Sequence, residues 1–469
     1  MTHPAFHAPI RFLLACLFLL GCKPAETPPG SRDPGAVRVE GTLGSPVLLA
    51  NGDSTVYAVL RIATLPRPEK QRGRVNVALA IDTSGSMEGE AIVAARRSAL
   101  QMIDALADGD RLAVVVFDSK AEVLLPSTEL DAEVRADVKA RIAAMQARGT
   151  TEMAGGLSAA VQEVAANLDS NGINRVVLLG DGIPNNASSI ESTARRAAQR
   201  GVAITTLGLG LDYDEVLMGR VADLSGGRYR YIESADKLAG FFREELHRID
   251  TVYGRQASIT LTPGPGVRID AVVGGETPEP GTAAYVPLGD IARGDSRDIV
   301  VRLTVTPRKA GVPIELLDAV LTFDDALEEA GRLQRVVYLG ARTTLDEEEV
   351  AKAKNPAVDL SAALAEASAT TLRALELGKQ GQHVRARALL QKGADAALAQ
   401  VKRTPSAELE KLAANMKSVA TDMPEADRPA PASGMQYEFS DDAYIVPVEA
   451  PSVVRKRKEV HQSVVDALH

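Results

Sequence analysis

The sequence predicts an α/β domain with a mainly parallel central sheet flanked by helices, set in or beside a β-sandwich and followed by a C-terminal helical region. Three observations carry that expectation. Between about Arg74 and Asp250, apolar strand-length runs alternate with helical periodicities. Short runs separated by turn residues lie on either side of that stretch. Beyond Thr344 the pattern turns helical. A chain of 469 residues has room for about two to four domains.

Residues 1–21 stand apart from the fold. His3, His7 and Arg11 make a weakly basic start, and an apolar run of about nine residues follows from Phe12. That run is too short to span a bilayer as a mature helix and reads as a secretory apolar region. It ends in Leu19-Leu20-Gly21-Cys22, which resembles a bacterial lipobox. The resemblance implies that residues 1–21 are a lipoprotein signal peptide and that Cys22 carries lipid and becomes the new N-terminus. Lys23 follows; by resemblance to enterobacterial sorting this implies a lipid-anchored protein of the cell envelope, at the outer membrane, on its periplasmic or surface face. Cys16 and Cys22 are the only cysteines, so the processed chain can form no internal disulfide. Residues 22–35, rich in proline and glycine, read as an extended tether.

Residues 36–68 hold three β-type runs: Val37 to Val39, Val47 to Leu49 and Val56 to Ile62. Asn51-Gly52-Asp53 suits a tight turn between the last two. Residues 74–250 change rhythm. An apolar strand runs from Val75 to Ile81, and a helix follows with Ile92, Ala95, Ala99, Met102, Ile103 and Leu106 on one stripe. Strands are expected at residues 112–117, 123–125, 176–179, 202–207 and 229–232, and helices at 132–144, 188–200, 214–224 and 235–249. Such alternation implies a parallel sheet covered on both faces. Residues 255–342 return to short strands. Ile299, Val301, Leu303 and Val305 alternate with Val300, Arg302 and Thr304, the pattern of a half-buried strand. The early runs complete this sandwich, so the α/β domain is expected as an insertion. Residues 344–422 are helical, with Asp359 and Thr404-Pro405 as expected helix starts. Residues 423–469 read as a linker and weakly patterned tail, and Arg455-Lys456-Arg457-Lys458 as a solvated run on it.

The chemistry begins at the end of the first α/β strand. In the segment Ile81-Asp82-Thr83-Ser84-Gly85-Ser86-Met87, one carboxylate and two hydroxyls fall at every second position. The spacing alone is a weak signal, but the carboxyl end of a strand in an open parallel sheet is where ligands bind. Two later segments add oxygens: Gly149-Thr150-Thr151-Glu152 in a loop before a helix, and Leu179-Gly180-Asp181-Gly182 at the end of another apolar strand. Two carboxylates and three hydroxyls form a hard-oxygen set that suits Mg²⁺, Mn²⁺ or Ca²⁺ rather than zinc.

Together these segments resemble the von Willebrand factor type A domain with its metal-ion-dependent adhesion site, over residues 75–249. The resemblance implies a Rossmann-like fold. It implies direct metal contact by Ser84, Ser86 and Thr151, with Asp82 and Asp181 acting mostly through waters or hydrogen bonds. It also implies a last coordination position left for a partner protein's Asp or Glu carboxylate. Gly180, Glu152 and Thr150 depart from the family's usual residues, but none removes a ligand. Glu152 reads as a surface or helix-start residue; alternatively it adds negative charge near the metal.

Other classes find less support. A net charge of −9 and a pI near 5.4 argue against a nucleic-acid binder. The six histidines are scattered, no H-E-x-x-H occurs, and the loop from Gly149 to Gly156 lacks the lysine of a phosphate loop. The expectation is therefore a non-enzymatic, membrane-anchored, metal-dependent protein-binding module with no small-molecule substrate. The alternative is an envelope structural or assembly factor whose metal only orders the loops. A metal-dependent hydrolase would need a base that the motifs do not supply.

Overall fold

The computed structural model describes residues 33–66, 73–181, 187–275, 278–306, 308–328, 330–427 and 450–468. Three strands come first: β1 (Val37–Leu43), β2 (Val47–Leu49) and β3 (Ser54–Thr64). The α/β unit follows as β4 (Val75–Asp82), α1 (Glu90–Ala105), β5 (Arg111–Phe117), β6 (Ala121–Glu129), α2 (Ala132–Ala143), α3 (Met153–Ala166), β7 (Ile173–Gly180), α4 (Ala187–Gln199), β8 (Ala203–Leu209), α5 (Glu215–Ser225), β9 (Tyr229–Ile232) and α6 (Leu238–Asp250). Next come β10 (Val252–Pro263), β11 (Val267–Val272), β12 (Ala284–Ala292), β13 (Ser296–Val305), β14 (Pro313–Asp325) and β15 (Arg332–Thr344). The helices α7 (Glu347–Lys352), α8 (Pro356–Lys379), α9 (His383–Arg403), α10 (Ala407–Asp422) and α11 (Pro451–Leu468) close the chain.

The α/β sheet has the order β6-β5-β4-β7-β8-β9. Every pairing in it is parallel except β5 with β6. The short strand expected at 123–125 is thus a longer one that folds back antiparallel along the edge. All eight residues of β4 are buried, and its alternate residues feed two cores. Val75, Val77, Leu79 and Ile81 pack with α1, α2 and α6, while Ala78 and Ala80 pack with α3, α4 and α5. A strand buried on both faces has no polar alternation, which is why β4, β5, β7 and β8 read as continuous apolar runs.

Strands from before and after this unit share two further sheets. One has the order β1-β3-β13-β11, the other β12-β10-β14-β15-β2, so β2 and β3 lie in different sheets and the turn at Asn51-Gly52-Asp53 does not close the hairpin its sequence suits. Val39, Leu60, Ile62, Ile259, Leu261, Val301, Leu303, Leu317 and Leu321 fill one core between them. The α/β unit therefore leaves the sandwich after β3 and returns to it at β10. Strand β13 departs from its half-buried reading. Ile299, Val301, Leu303 and Val305 face the sandwich core, but Val300 is also buried, against Val358, Ala362 and Ala365 of α8.

The helical region starts at different caps from those expected. Asn355 caps α8, with Pro356 at its first position, so Asp359 lies in the first turn instead. Ser406, not Thr404, caps α10 by accepting the Leu409 N–H at 3.2 Å. The reading of 423–469 as linker and tail also needs correction. Residues 451–468 form α11, whose Lys458, His461, Val464 and Val465 are buried. That stripe is sparse, and its polar members Lys458 and His461 hid it from apolar periodicity. Among the described residues no helix is long and apolar enough to cross a membrane. The leader, Cys16, Cys22 and most of the tether lie outside the described residues.

Candidate metal centre

The parallel register sets Ile81 of β4 opposite Leu179 of β7, so Asp82 and Asp181 leave neighbouring strands at the same edge. Asp82 is fully buried. Its Oδ1 accepts the Ser84 backbone N–H at 2.8 Å, which bends the chain out of the strand. The Ser84 and Ser86 hydroxyls share a hydrogen bond at 3.0 Å, and Ser86 Oγ donates to Asp181 Oδ1 at 2.7 Å. Four of the five expected ligands thus form one connected run. Met87, also fully buried, anchors the far end of the turn in the core below.

Thr151 comes from the neighbouring loop, two positions before α3. Backbone bonds lock that loop to the first one. Gly85 N–H donates to Gly149 O at 3.1 Å, and Arg148 N–H donates to Thr83 O at 2.7 Å. Gly149 has φ +71°, and a Cβ there would lie 2.5 Å from Ser119 Oγ, so this corner requires glycine. Glu152 is a helix-start residue: its carboxylate accepts the Gly155 N–H at 2.8 Å and caps α3.

Asp118, at the end of β5, has a part that the sequence reading did not assign. Its backbone carbonyl accepts the Glu152 N–H at 2.7 Å, and its carboxylate takes Arg148 Nε at 2.7 Å. It thereby ties the Thr151 loop to a third strand end. The available signal was its position, one residue past an apolar strand. Of the histidines, His247 is exposed on α6, His383 is buried at the start of α9 and His461 is buried on α11.

The setting of the pair disfavours the charged form of both carboxyls. Burial pushes the Asp82 carboxyl up to about 6; the Asp181 charge adds to this and the bonds from Ser84 oppose it. Burial also raises Asp181, with the Asp212 charge contributing. Asp82 Oδ2 is buried with no hydrogen-bond partner among the described residues. A buried carboxylate oxygen without a donor is costly unless a cation or ordered water serves it. The donor set therefore fits a hard divalent ion. Among the described residues no three His, Cys, Asp or Glu side chains cluster as a metal site.

The α/β unit has the fold expected of a von Willebrand factor type A domain. The family model of that domain matches residues 76–244. Over 248 residues the chain is 27% identical to the uncharacterized protein YfbK of Escherichia coli (strain K12), a match covering 50% of this chain and 43% of that protein. The chain thus spans less than half the length of that relative. Among solved structures, a von Willebrand factor type A protein from Catenulispora acidiphila superposes with a TM-score of 0.66 at 20% identity, over 85% of this chain and 99% of that one. The ArnB paralog VWA2 of Sulfolobus acidocaldarius superposes with a TM-score of 0.59 at 16% identity, over 92% and 99%. Both likenesses extend beyond the α/β unit and are likenesses of fold.

Proposed function

We propose that this chain is a membrane-anchored protein-binding module that recognises a partner's carboxylate through a divalent cation, Mg²⁺ or else Mn²⁺ or Ca²⁺. Ser84, Ser86 and Thr151 would hold the ion directly, and Asp82 and Asp181 would hold it through waters or hydrogen bonds. The bound ion supplies a coordination position for an outside oxygen, with few charged direct ligands to quench it. Asp82 orients the Ser84 amide, Ser86 aligns Asp181, and Asp118 fixes the Thr151 loop. Lipid on Cys22 would place the module at the cell envelope, on the periplasmic or surface side of the outer membrane.

One observation carries the reading: the connected run Asp82–Ser84–Ser86–Asp181, with a buried carboxylate oxygen that lacks a partner, at the carboxyl edge of a parallel sheet. Binding rather than catalysis is favoured because the buried histidines belong to helix packing, where His461 lies edge-on to Tyr229. The test is a pull-down from envelope extract with the lipid-free chain, residues 24–469, in Mg²⁺, in EDTA and with Asp82→Ala. A partner captured only with metal and lost in the variant supports the reading. A partner retained in EDTA and by the variant would move the function to the sandwich and helices, leaving the metal, if bound, to order loops.

A further inference from the structure

Lys458 lies in the basic run near the chain's end, yet its side chain is completely buried. Its Nζ donates to the Tyr213 carbonyl at 2.8 Å and to Glu215 Oε2 at 3.1 Å, and sits 3.5 Å from the Tyr213 ring centroid. An ammonium taken out of water needs such partners in place, so this contact fixes where α11 can dock. The same Glu215 carboxylate also receives Arg457 of α11 at 3.1 Å and Lys379 of α8 at 2.9 Å. Glu215 opens α5, where Asp214 is the cap.

Tyr213 is gripped from the other side as well. Its ring lies on Gly208 of β8, where a Cβ would come within 2.1 Å of it, and its hydroxyl shares a 2.7 Å hydrogen bond with Tyr229 of β9. The turn between β8 and α5 is therefore pressed between the sheet and α11. That turn is not remote from the cation site. Gly208 of β8 pairs with Gly180, the residue before Asp181, so the turn leaves the sheet beside the strand end that carries Asp181.

We propose that α11 is a support of the cation site: Lys458 holds the β8–α5 turn in place at the strand ends beside Gly180 and Asp181, so that docking of α11 and cation binding strengthen each other. Lys458 is thus a positioning residue and touches no ligand. The inference rests on the cation site proposed above. Coupling between two sites is reciprocal, so it must show from both ends.

The experiment uses the lipid-free chain, residues 24–469, with Mn²⁺ as the probe. Amide hydrogen exchange across residues 451–468 is measured with and without Mn²⁺, in wild type and in Asp82→Ala, and Mn²⁺ affinity is measured by calorimetry in wild type and Lys458→Met. Expected are several-fold slower exchange in α11 when wild type is loaded, no change in Asp82→Ala, and affinity about five-fold or more weaker in Lys458→Met. Mn²⁺ that binds wild type without slowing α11 exchange overturns the inference and leaves the site standing. Wild type that binds no Mn²⁺ overturns the site itself, and the inference with it. The exchange measurement on wild type decides the matter even where Lys458→Met does not fold.

Discussion

Asp82 shows how one residue can be costly to the fold and useful to the site. Burial raises its carboxyl to about 6, so without metal, between about pH 4 and 6, the native state holds a proton that the unfolded chain has released. Stability of the metal-free protein is therefore expected to fall as pH rises from about 4 to about 6. The full penalty is present at neutral pH, of order 3 kcal/mol. Thermal melts in EDTA across that range check the sign; a rise in melting temperature would contradict it. Cation binding requires the ionised form, so stabilisation by Mg²⁺ should be full near pH 7.5 and be lost as pH falls below about 6. Asp82→Asn keeps an acceptor for the Ser84 N–H but carries no charge. It is expected to melt higher than wild type in EDTA and to gain nothing from added Mg²⁺. Gly149→Ala is expected to cost about 1–2 kcal/mol through its positive φ and the clash with Ser119, and to weaken Mg²⁺ binding by misplacing Thr151. Denaturant titration and calorimetry would read the two effects separately.

At the scale of elements, the contact between the α/β unit and the sandwich includes a buried ion network. Arg175 of β7 donates to Glu245 of α6 and, at 2.7 Å, to Asp290 of β12, while Thr205 of β8 donates to Glu245 at 2.8 Å. Both Arg175 and Glu245 are almost fully buried. The nearby guanidinium of Arg175 overcomes burial and holds the Glu245 carboxyl below the usual range. Its contribution is present above the unfolded pKa of glutamate and is lost as pH falls through the lower folded value. Arg175→Met strands a buried carboxylate and is expected to destabilise the protein by about 3–5 kcal/mol, with Arg175→Met/Glu245→Gln recovering much of that. A double-mutant cycle in urea checks it; equal loss in the single and double variants would mean the arginine acts through packing alone. Elements also differ in how readable they were. Strands β4, β5, β7 and β8 announce themselves because parallel strands covered on both faces are apolar throughout. Helix α11 did not, because its buried stripe includes a lysine and a histidine whose partners lie in the distant α5 and β9. The antiparallel turn into β6 likewise depends on pairing with β5 that no local pattern encodes.

For the whole molecule, the site was legible because its oxygens come from short segments, each at the end of a strand or the start of a helix. Asp82, Ser84, Ser86 and Asp181 lie in one hydrogen-bonded run, with Thr151 on the loop tied to them; the family resemblance, not the spacing alone, had grouped them. What spacing could not reveal is the support around them: the carboxylate of Asp118 and the turn beneath α11. The sandwich tests the architecture directly. Deleting residues 33–66 removes β1, β2 and β3, exposes the edge of β13 and uncovers its core face. The truncated chain is expected to aggregate through residues 252–344, while amide exchange in β4 and β7 stays slow. Uniform loss of protection in the α/β sheet would show that the two parts fold as one.

The pairing of β3 with β13 also sets a timetable for biosynthesis. Leu60 finds Ile299 only after roughly 240 further residues have been made. A chain emerging from its N-terminus must carry the β1–β3 pair, with one edge of β3 unmated, past the completion of an entire α/β sheet before β13 arrives. The interval favours an inserted unit that closes on its own, and it marks the open edge of β3 as the place where a chaperone would bind a nascent chain.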